Sequence, residues 1–341
     1  MVDLIHIGDY KTGTSWIQRE IFLKHPEIAY LDWPESNPGA VRFFSELVDG
    51  RDLDYNEIAL RQLFQLQIKK IQEEGRKIVI SREALAGEIF SGENARRTAE
   101  RLFGVFGPTP ILLVVREQFS MIASLYSQFI KMGGGLSLKD YIFDPLYSKH
   151  LVGRLQYEKL IDTYVEIFGK DNVTVWLHEA MREDNQEFLK QIYSIIGCKN
   201  RTFVPDAGHL VNPSLTVPGV MIQRFLNYFC RTRLSPAASI LPLDKIIALL
   251  LRQPQKERLI KSAKVQMPFS CTALTEEAYL LYSINMGLNL KFSEFTERFN
   301  FGRKISVPLE IRKKLAPLFV AGNRKLVSSY GLNLPKYGWV L

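Results

Sequence analysis

Short apolar runs alternate with longer amphipathic stretches along most of the chain. The apolar runs predict strands at residues 2–7, 77–81, 110–115 and 172–177, and a shorter strand at 28–31. Between them, apolar residues recur every three or four positions, which predicts helices at 55–74, 94–106, 157–168 and 185–196. Strands that alternate with helices favour an α/β protein with a mostly parallel sheet between helical layers. Residues 110–115 are the most apolar run and therefore the expected central strand.

The helix predicted at 94–106 shows how the pattern assigns faces. It places Ala99, Leu102 and Phe103 inward, together with Ala95, and it places Arg96, Arg97 and Arg101 outward. Gly107 and Pro108 then turn the chain into the central strand.

A second pattern covers residues 216–304. Val220, Phe225, Leu226 and Phe229 follow a helical spacing, and prolines divide the segment into pieces. We therefore expect one domain over 1–341, with 216–304 as a helical insertion.

Charge sharpens the picture of this insertion. The chain has a net charge of +8, and residues 219–264 hold nine Lys/Arg against two acids. Because the positive charge is local, it does not indicate a nucleic-acid-binding protein. Two expectations stay open for this segment: a peripheral contact with a membrane or anionic lipid, or packing on the sheet domain with the charges solvated.

Bulk composition is that of an ordinary globular protein, with 46% hydrophobic and 23% charged residues in 341 positions. Cys198, Cys230 and Cys271 are widely spaced and form no metal-ligand cluster, so we expect buried thiols in a reducing compartment. No signal peptide and no run of 18 apolar residues is recognisable, which favours a cytoplasmic protein.

The residues that follow the first strand carry the chemistry. They read Gly-Asp-Tyr-Lys-Thr-Gly-Thr-Ser-Trp at 8–16 and lead directly into a predicted helix. These residues favour binding of an anion, because the helix start offers unpaired N–H groups, the lysine adds a positive charge and the hydroxyl side chains can donate hydrogen bonds. A turn that merely joins strand to helix is the plain alternative.

The order of residues distinguishes this loop from the nucleotide P-loop. In Gly-x4-Gly-Lys-Ser/Thr the lysine follows the glycine, whereas Lys11 precedes Gly13 here. The run Lys11-Thr12-Gly13-Thr14-Ser15-Trp16 resembles the phosphosulfate loop of sulfotransferases that use 3′-phosphoadenosine 5′-phosphosulfate (PAPS). The resemblance implies that 11–15 bind the phosphosulfate and that the ring of Trp16 lies against the adenine.

A second short motif follows the expected central strand. Arg116 stands at the strand end and Ser124 stands eight residues later, with an aromatic at Tyr126. The pair resembles the 3′-phosphate motif of sulfotransferases, whereas the plain alternative is an arginine at a sheet edge and an ordinary helix serine. The resemblance extends over 1–31, 76–132, 155–215 and 305–341, with an Asn-x-Ser-Leu segment at 212–215.

Two residues are candidates for a general base. Glu83 follows the strand at 77–81, where many sulfotransferases have Ser-Glu, although Arg82 intervenes here between Ser81 and Glu83. A helix cap made by Ser81 or Glu83 is an equally weighted alternative. His209 is the second choice, because a histidine titrates near neutral pH.

Taken together, the resemblance implies a P-loop-NTPase-like, three-layer α/β fold and a bacterial-type, PAPS-dependent sulfotransferase without a metal. Such an enzyme transfers the sulfuryl group to a hydroxyl or amine of a small-molecule or glycan acceptor and releases adenosine 3′,5′-bisphosphate. The acceptor is expected to be a carbohydrate or glycolipid. Two alternatives are a nucleotide kinase or NTPase on a related sheet and a non-catalytic module that binds PAPS or lipid. The sequence predicts no oligomeric state.

Overall fold

The structure is a computed structural model that describes residues 2–31, 38–145, 148–203, 215–229, 243–266, 276–297 and 301–341. The chain divides into two compact units. The first unit contains residues 1–121, 144–212 and 308–341, and the second contains 122–143 and 213–307. The expected insertion at 216–304 therefore belongs to the second unit, which also includes 122–143.

A five-stranded, all-parallel sheet forms the centre of the first unit. Its strands are β1 (Leu4–Ile7), β2 (Ile28–Tyr30), β3 (Lys77–Arg82), β4 (Ile111–Val115) and β5 (Val173–Leu177). They lie in the order β2-β3-β1-β4-β5. All residues of β1 and β4 are buried, as expected for parallel strands that are covered on both faces.

Helices make up most of the remaining described residues. In chain order they are α1 (Thr14–Trp16), α2 (Pro38–Val48), α3 (Glu57–Glu73), α4 (Ala95–Phe106), α5 (Gln118–Lys131), α6 (Leu138–Phe143), α7 (Ser148–Arg154), α8 (Tyr157–Phe168), α9 (His178–Glu183), α10 (Asn185–Ile196), α11 (Val217–Asn227), α12 (Leu243–Leu250), α13 (Gln253–Gln266), α14 (Glu276–Glu297), α15 (Leu309–Leu315) and α16 (Pro317–Tyr330). The helix that begins as α1 continues as a π-helix over Ile17–Phe22. Among the described residues no helix is long and apolar enough to cross a membrane.

Two helical layers cover the sheet of the first unit. On one face, Leu112 and Val114 of β4 pack with Phe22 of the π-helix and with Phe188 and Ile192 of α10. On the other face, α8 packs against β4 and β5, and α4 packs against α8. Alternate strand residues point to opposite faces, so each strand supplies both cores. The expected α/β fold with a parallel sheet between helical layers is confirmed.

One helix face differs from the expectation. The side chain of Arg101 is buried rather than outward, and Phe103 is partly exposed rather than inward. The guanidinium of Arg101 donates to the carbonyl oxygens of Glu46, Leu47 and Gly50 at 2.9–3.1 Å and to the carboxylate of Asp52 at 2.6 Å. It satisfies the carbonyls where α2 ends, and this gain explains the burial of a charged residue.

Topology brings three chain segments to one edge of the sheet. β1 is paired with β3 on one side and with β4 on the other. Because carboxyl ends of parallel strands share one edge, the residues after β1 lie between those that follow β3 and β4. The segments concerned are the loop from Gly8, the turn at Glu83 and the turn at Arg116.

Candidate functional site

The loop after β1 turns sharply before the helix begins. Lys11 and Gly13 both have positive φ, at 65° and 91°. Gly8 lies so close to the loop's far side that a Cβ there would be 2.3 Å from Cγ2 of Thr14. The helix begins with hydrogen bonds from the N–H groups of Trp16 and Ile17 to the carbonyl of Gly13. The N–H groups of the preceding helix residues have no intrahelical acceptor, which suits an anion.

The two threonines of the loop hold its shape. Thr12 and Thr14 are buried, and both hydroxyls donate to the carbonyl of Asp9, at 2.6 and 3.1 Å. These hydroxyl hydrogens are thus used inside the loop. Ser15 is partly buried at the helix start. The two threonine side chains therefore shape the loop through the carbonyl of Asp9.

A buried ion pair between Asp9 and Arg154 holds the loop in place. The carboxylate of Asp9 accepts from the guanidinium of Arg154, which lies at the end of α7, and from the N–H of Tyr10 at 2.7 Å. Each of the two charged side chains is 2% exposed. Arg154 also donates to the carbonyl of Glu88 at 2.6 Å and lies over the ring of Tyr10. Burial raises the pKa of Asp9, while the positive charge of Arg154 lowers it in part.

Glu83 lies beside the loop, as the sequence leads one to expect for a residue after β3. It opens a short 3-10 helix over Glu83–Ala86, and the last residue of β3 is paired in register with Ile7 of β1. Burial raises the pKa of Glu83, and the positive charge of Lys11 lowers it in part. A carboxylate with a raised pKa close to the loop lysine has the properties of a general base.

The capping alternative for Ser81 and Glu83 is wrong for Ser81. The hydroxyl of Ser81 is 2.7 Å from Nδ1 of His6 and 3.1 Å from the amide of Gln18. Arg82 holds the N-cap position of the 3-10 helix that begins at Glu83, and its side chain makes no capping hydrogen bond. Ser81 instead ties β1, β3 and the π-helix together. Its partner His6 is fully buried, and burial lowers the pKa of His6 to about 3.

Arg116 approaches the loop from the other side. It follows β4 directly and donates to the carbonyl of Lys11 at 2.9 Å. Burial lowers the pKa of Arg116, while the carboxylate of Glu179 raises it in part. Ser124 lies in α5, and its buried hydroxyl has no partner among the described residues. Ser124 belongs to the second unit and Arg116 to the first, so the joint role of Arg116 and Ser124 stays a prediction.

An open cleft of about 350 Å³ adjoins Arg116 within the first unit. Its lining residues come from the turn after β4, the first turn of α5 and the length of α9, and they are Arg116, Ser120, His178, Glu179, Arg182 and Glu183. Gly13 of the loop is close to α9, because a Cβ at Gly13 would be 3.8 Å from Cδ2 of His178.

The charges of this cleft leave it mildly positive. Burial, with Arg116 and Arg182, lowers the pKa of His178 to about 3, so the ring is neutral at neutral pH. Glu183 is held by Lys336 at 2.5 Å. The two arginines therefore face one further carboxylate, that of Glu179, whose pKa is raised by burial. Such a cleft suits a polar ligand with a negative group.

The predicted site residues fall into three groups. Lys11, Glu83 and Arg116 are brought together at one edge of the sheet. Trp16 is partly buried against the core beside the sheet, so its contact with adenine stays a prediction. His209 lies outside the described residues.

Of the three cysteines, Cys198 is buried, as expected, and burial raises its pKa to about 12. Cys230 and Cys271 lie outside the described residues.

Sequence reasoning missed the groups that support the loop. Asp9 offered a signal, because a carboxylate within an anion-binding loop requires a cation nearby. Its partner Arg154 offered none, since it lies 145 positions away in a segment without a motif. No group of three or more His, Cys, Asp or Glu suited to a metal occurs among the described residues.

No protein-family model matches the sequence, and no curated protein matches it. Among solved structures, a sulfotransferase from Alicyclobacillus acidocaldarius is similar over 62% of this chain and 87% of that chain, with 19% sequence identity and a TM-score of 0.44.

Proposed function

We propose that the protein is a sulfotransferase that uses PAPS as its donor. One observation carries the proposal: at the carboxyl edge of a parallel sheet, the charge of Lys11 acts on Glu83 and the carbonyl of Lys11 accepts from Arg116. A cation, an anion-binding helix start and a candidate base are thus combined in one place. The order lysine, small residue, glycine and two hydroxyl residues favours a phosphosulfate over a nucleoside triphosphate.

The donor would be held at both of its charged ends. Backbone N–H groups at 13–15 and the ammonium of Lys11 suit the phosphosulfate. The guanidinium of Arg116 suits the 3′-phosphate, with Ser124 as its expected partner. As the sulfur–oxygen bond to the leaving phosphate breaks, negative charge grows on the bridging oxygen. Lys11 is the residue that would stabilise this charge.

Glu83 would accept the proton of the acceptor. The acceptor oxygen forms a bond to sulfur while its proton passes to the Glu83 carboxylate, and adenosine 3′,5′-bisphosphate leaves. The raised pKa of Glu83 makes it a stronger base than an exposed glutamate. His209 is the second candidate for this role. The expected acceptor is a hydroxyl or amine of a carbohydrate or glycolipid.

Transfer of label tests the proposal directly. Purified protein is incubated with PAPS labelled in the sulfuryl group and with a mixture of sugars, glycolipids and phenols. We expect labelled product and an equal amount of adenosine 3′,5′-bisphosphate. Lys11→Ala should abolish both. Lys24→Ala is the matched control, because Lys24 follows the same helix and pairs with Glu20 at the surface.

Two other outcomes would contradict the proposal. Transfer of the γ-phosphate of ATP would identify a kinase, although Lys11 precedes the glycine and Arg116 stands where a kinase-type site would have an acidic metal ligand. Tight donor binding without transfer to any acceptor would identify a non-catalytic binding module.

A further inference from the structure

Helix α11 of the second unit partly reverses the usual distribution: its buried face holds two amide side chains beside Val220, and its exposed face holds large apolar side chains. Gln223 and Asn227 are fully buried, whereas Met221 and Phe225 are 68% and 58% exposed. An amphipathic helix that packs on a core normally shows the opposite arrangement. The reversal therefore requires an explanation on both faces.

The buried face is satisfied by a hydrogen-bond network. The amide of Gln223 donates to Asn227 at 3.0 Å and accepts from Thr296 of α14 at 3.1 Å. The amide of Asn227 donates to the carbonyls of Ile130 and Gly134, both at 2.8 Å. Paired amides of this kind fix the rotation of the helix about its axis. The apolar face is consequently held outward.

That outward face forms one continuous stripe. Val217, Met221, Phe225 and Tyr228 are all exposed, and their spacing of four, four and three residues places them on one side of α11. We call these four residues the α11 stripe. Large exposed apolar residues are also concentrated in this unit: it holds eleven of the nineteen among the described residues, in about a third of the chain. A concentrated apolar surface marks a binding face rather than scatter.

We infer that the α11 stripe docks on an anionic lipid bilayer. Charge selects this occupant: the second unit has fifteen Lys/Arg and seven Asp/Glu, so the whole net charge of +8 resides on it. Lys245, Arg252 and Arg258 are exposed there. An anionic surface attracts such a unit. A second copy of the chain would bring an equal positive charge against it.

The side chains of the stripe fit a membrane interface as well. Met and Phe enter the acyl region readily, and Tyr places its hydroxyl among headgroups. Phe225 and Phe229 pack edge to face with ring centroids 5.3 Å apart, which makes a firm aromatic contact. The inference is independent of the proposed sulfotransferase activity, because none of these residues belongs to the loop site.

Vesicle flotation tests the inference with the full chain. We expect binding to phosphatidylcholine vesicles that contain phosphatidylserine, weak binding to pure phosphatidylcholine, and loss of binding at high salt. The double variant Met221→Glu/Phe225→Glu should weaken binding by about tenfold or more. Leu53→Glu/Ile58→Glu is the matched control, because both residues are highly exposed apolar positions of the first unit. It should bind like the wild type.

A second measurement keeps the test sound if the charged variant folds poorly. Phe225→Trp retains an apolar ring, and its fluorescence should shift to the blue and be quenched by brominated lipids. Equal binding by wild type and the Met221/Phe225 variant, or no binding to phosphatidylserine vesicles, would overturn the inference. A concentration-dependent dimer of the wild type that is lost in Met221→Glu/Phe225→Glu would also overturn the inference and assign the α11 stripe to contact with a second copy.

Discussion

Replacing Arg154 by methionine should destabilise the loop that follows β1. The substitution keeps much of the side-chain length but removes the charge that faces Asp9. Both side chains are 2% exposed, so neither water nor a solvated neighbour replaces the lost guanidinium. The carbonyl of Glu88 also loses the Arg154 donor at 2.6 Å and keeps the N–H of Gly92. The carboxylate of Asp9, which builds the loop through Tyr10, is left buried and unpaired.

The magnitude follows from the burial of the pair. Removal of one partner from a buried ion pair costs about 3–5 kcal/mol, much more than the pair contributes relative to apolar residues. Burial already raises the pKa of Asp9, and loss of Arg154 removes the opposing influence. The cost should shrink as pH falls, because a protonated Asp9 no longer carries an unpaired charge. Asp9→Asn in the same background should recover part of the loss.

Thermal unfolding of wild type, Arg154→Met and the double variant measures this effect. Arg96→Met is the matched control, since its partner Glu166 lies at the surface and its unfolding temperature should remain close to that of the wild type. Donor affinity should fall together with stability in Arg154→Met. The reasoning would be refuted if Arg154→Met unfolded at the same temperature as the wild type from pH 5 to pH 8. It would also be refuted if the deficit of Arg154→Met relative to the wild type grew as pH fell.

Three further predictions concern the same unit. Glu83→Gln should lower the rate of transfer by about 10²–10⁴-fold. Because the pKa of Glu83 is raised, the wild-type rate should increase with pH above the usual glutamate range, and this increase should be absent in the variant. A near-normal rate would favour His209 as the base. Gly13→Ala should cost about 1–2 kcal/mol, because φ is 91°, and should weaken donor binding, whereas Gly75→Ala, with a φ of 71° and open space, should reduce only stability. The pKa of His6 is about 3 in the fold and higher when unfolded, so the unfolded chain binds more protons and stability should fall as pH drops from about 6.5 to 3. Replacement by Asn should flatten that slope in pH-dependent melting curves.

The local parts of the fold could be predicted from the sequence because their signals are local. Apolar runs located the strands, and the spacing of Lys11, Gly13 and Trp16 located the loop. Parallel strands that share a carboxyl edge then explain why Glu83 and Arg116 lie on either side of it. These inferences need only neighbouring residues and general rules of α/β sheets.

The rest depends on contacts between distant residues. Arg154 reaches Asp9 across 145 positions, and no periodicity reports such a pair. The burial of Arg101, which periodicity places outward, and the exposure of Phe225 have a related cause. Arg101 is buried because the end of α2 needs donors, and Phe225 is exposed because paired amides occupy the inner face of α11. Periodicity registers hydrophobicity, whereas buried polar networks depend on partners elsewhere in the chain.

A comparison of nucleotide affinities most directly tests the central claim that the loop after β1 and Arg116 form a two-ended PAPS site. Titration calorimetry compares adenosine 3′,5′-bisphosphate with adenosine 5′-monophosphate and ATP on the wild type and on Arg116→Ala. The account predicts that the bisphosphate binds most tightly and that Arg116→Ala removes its advantage over the monophosphate. Equal or tighter binding of ATP, or a bisphosphate advantage that survives in Arg116→Ala, would contradict it.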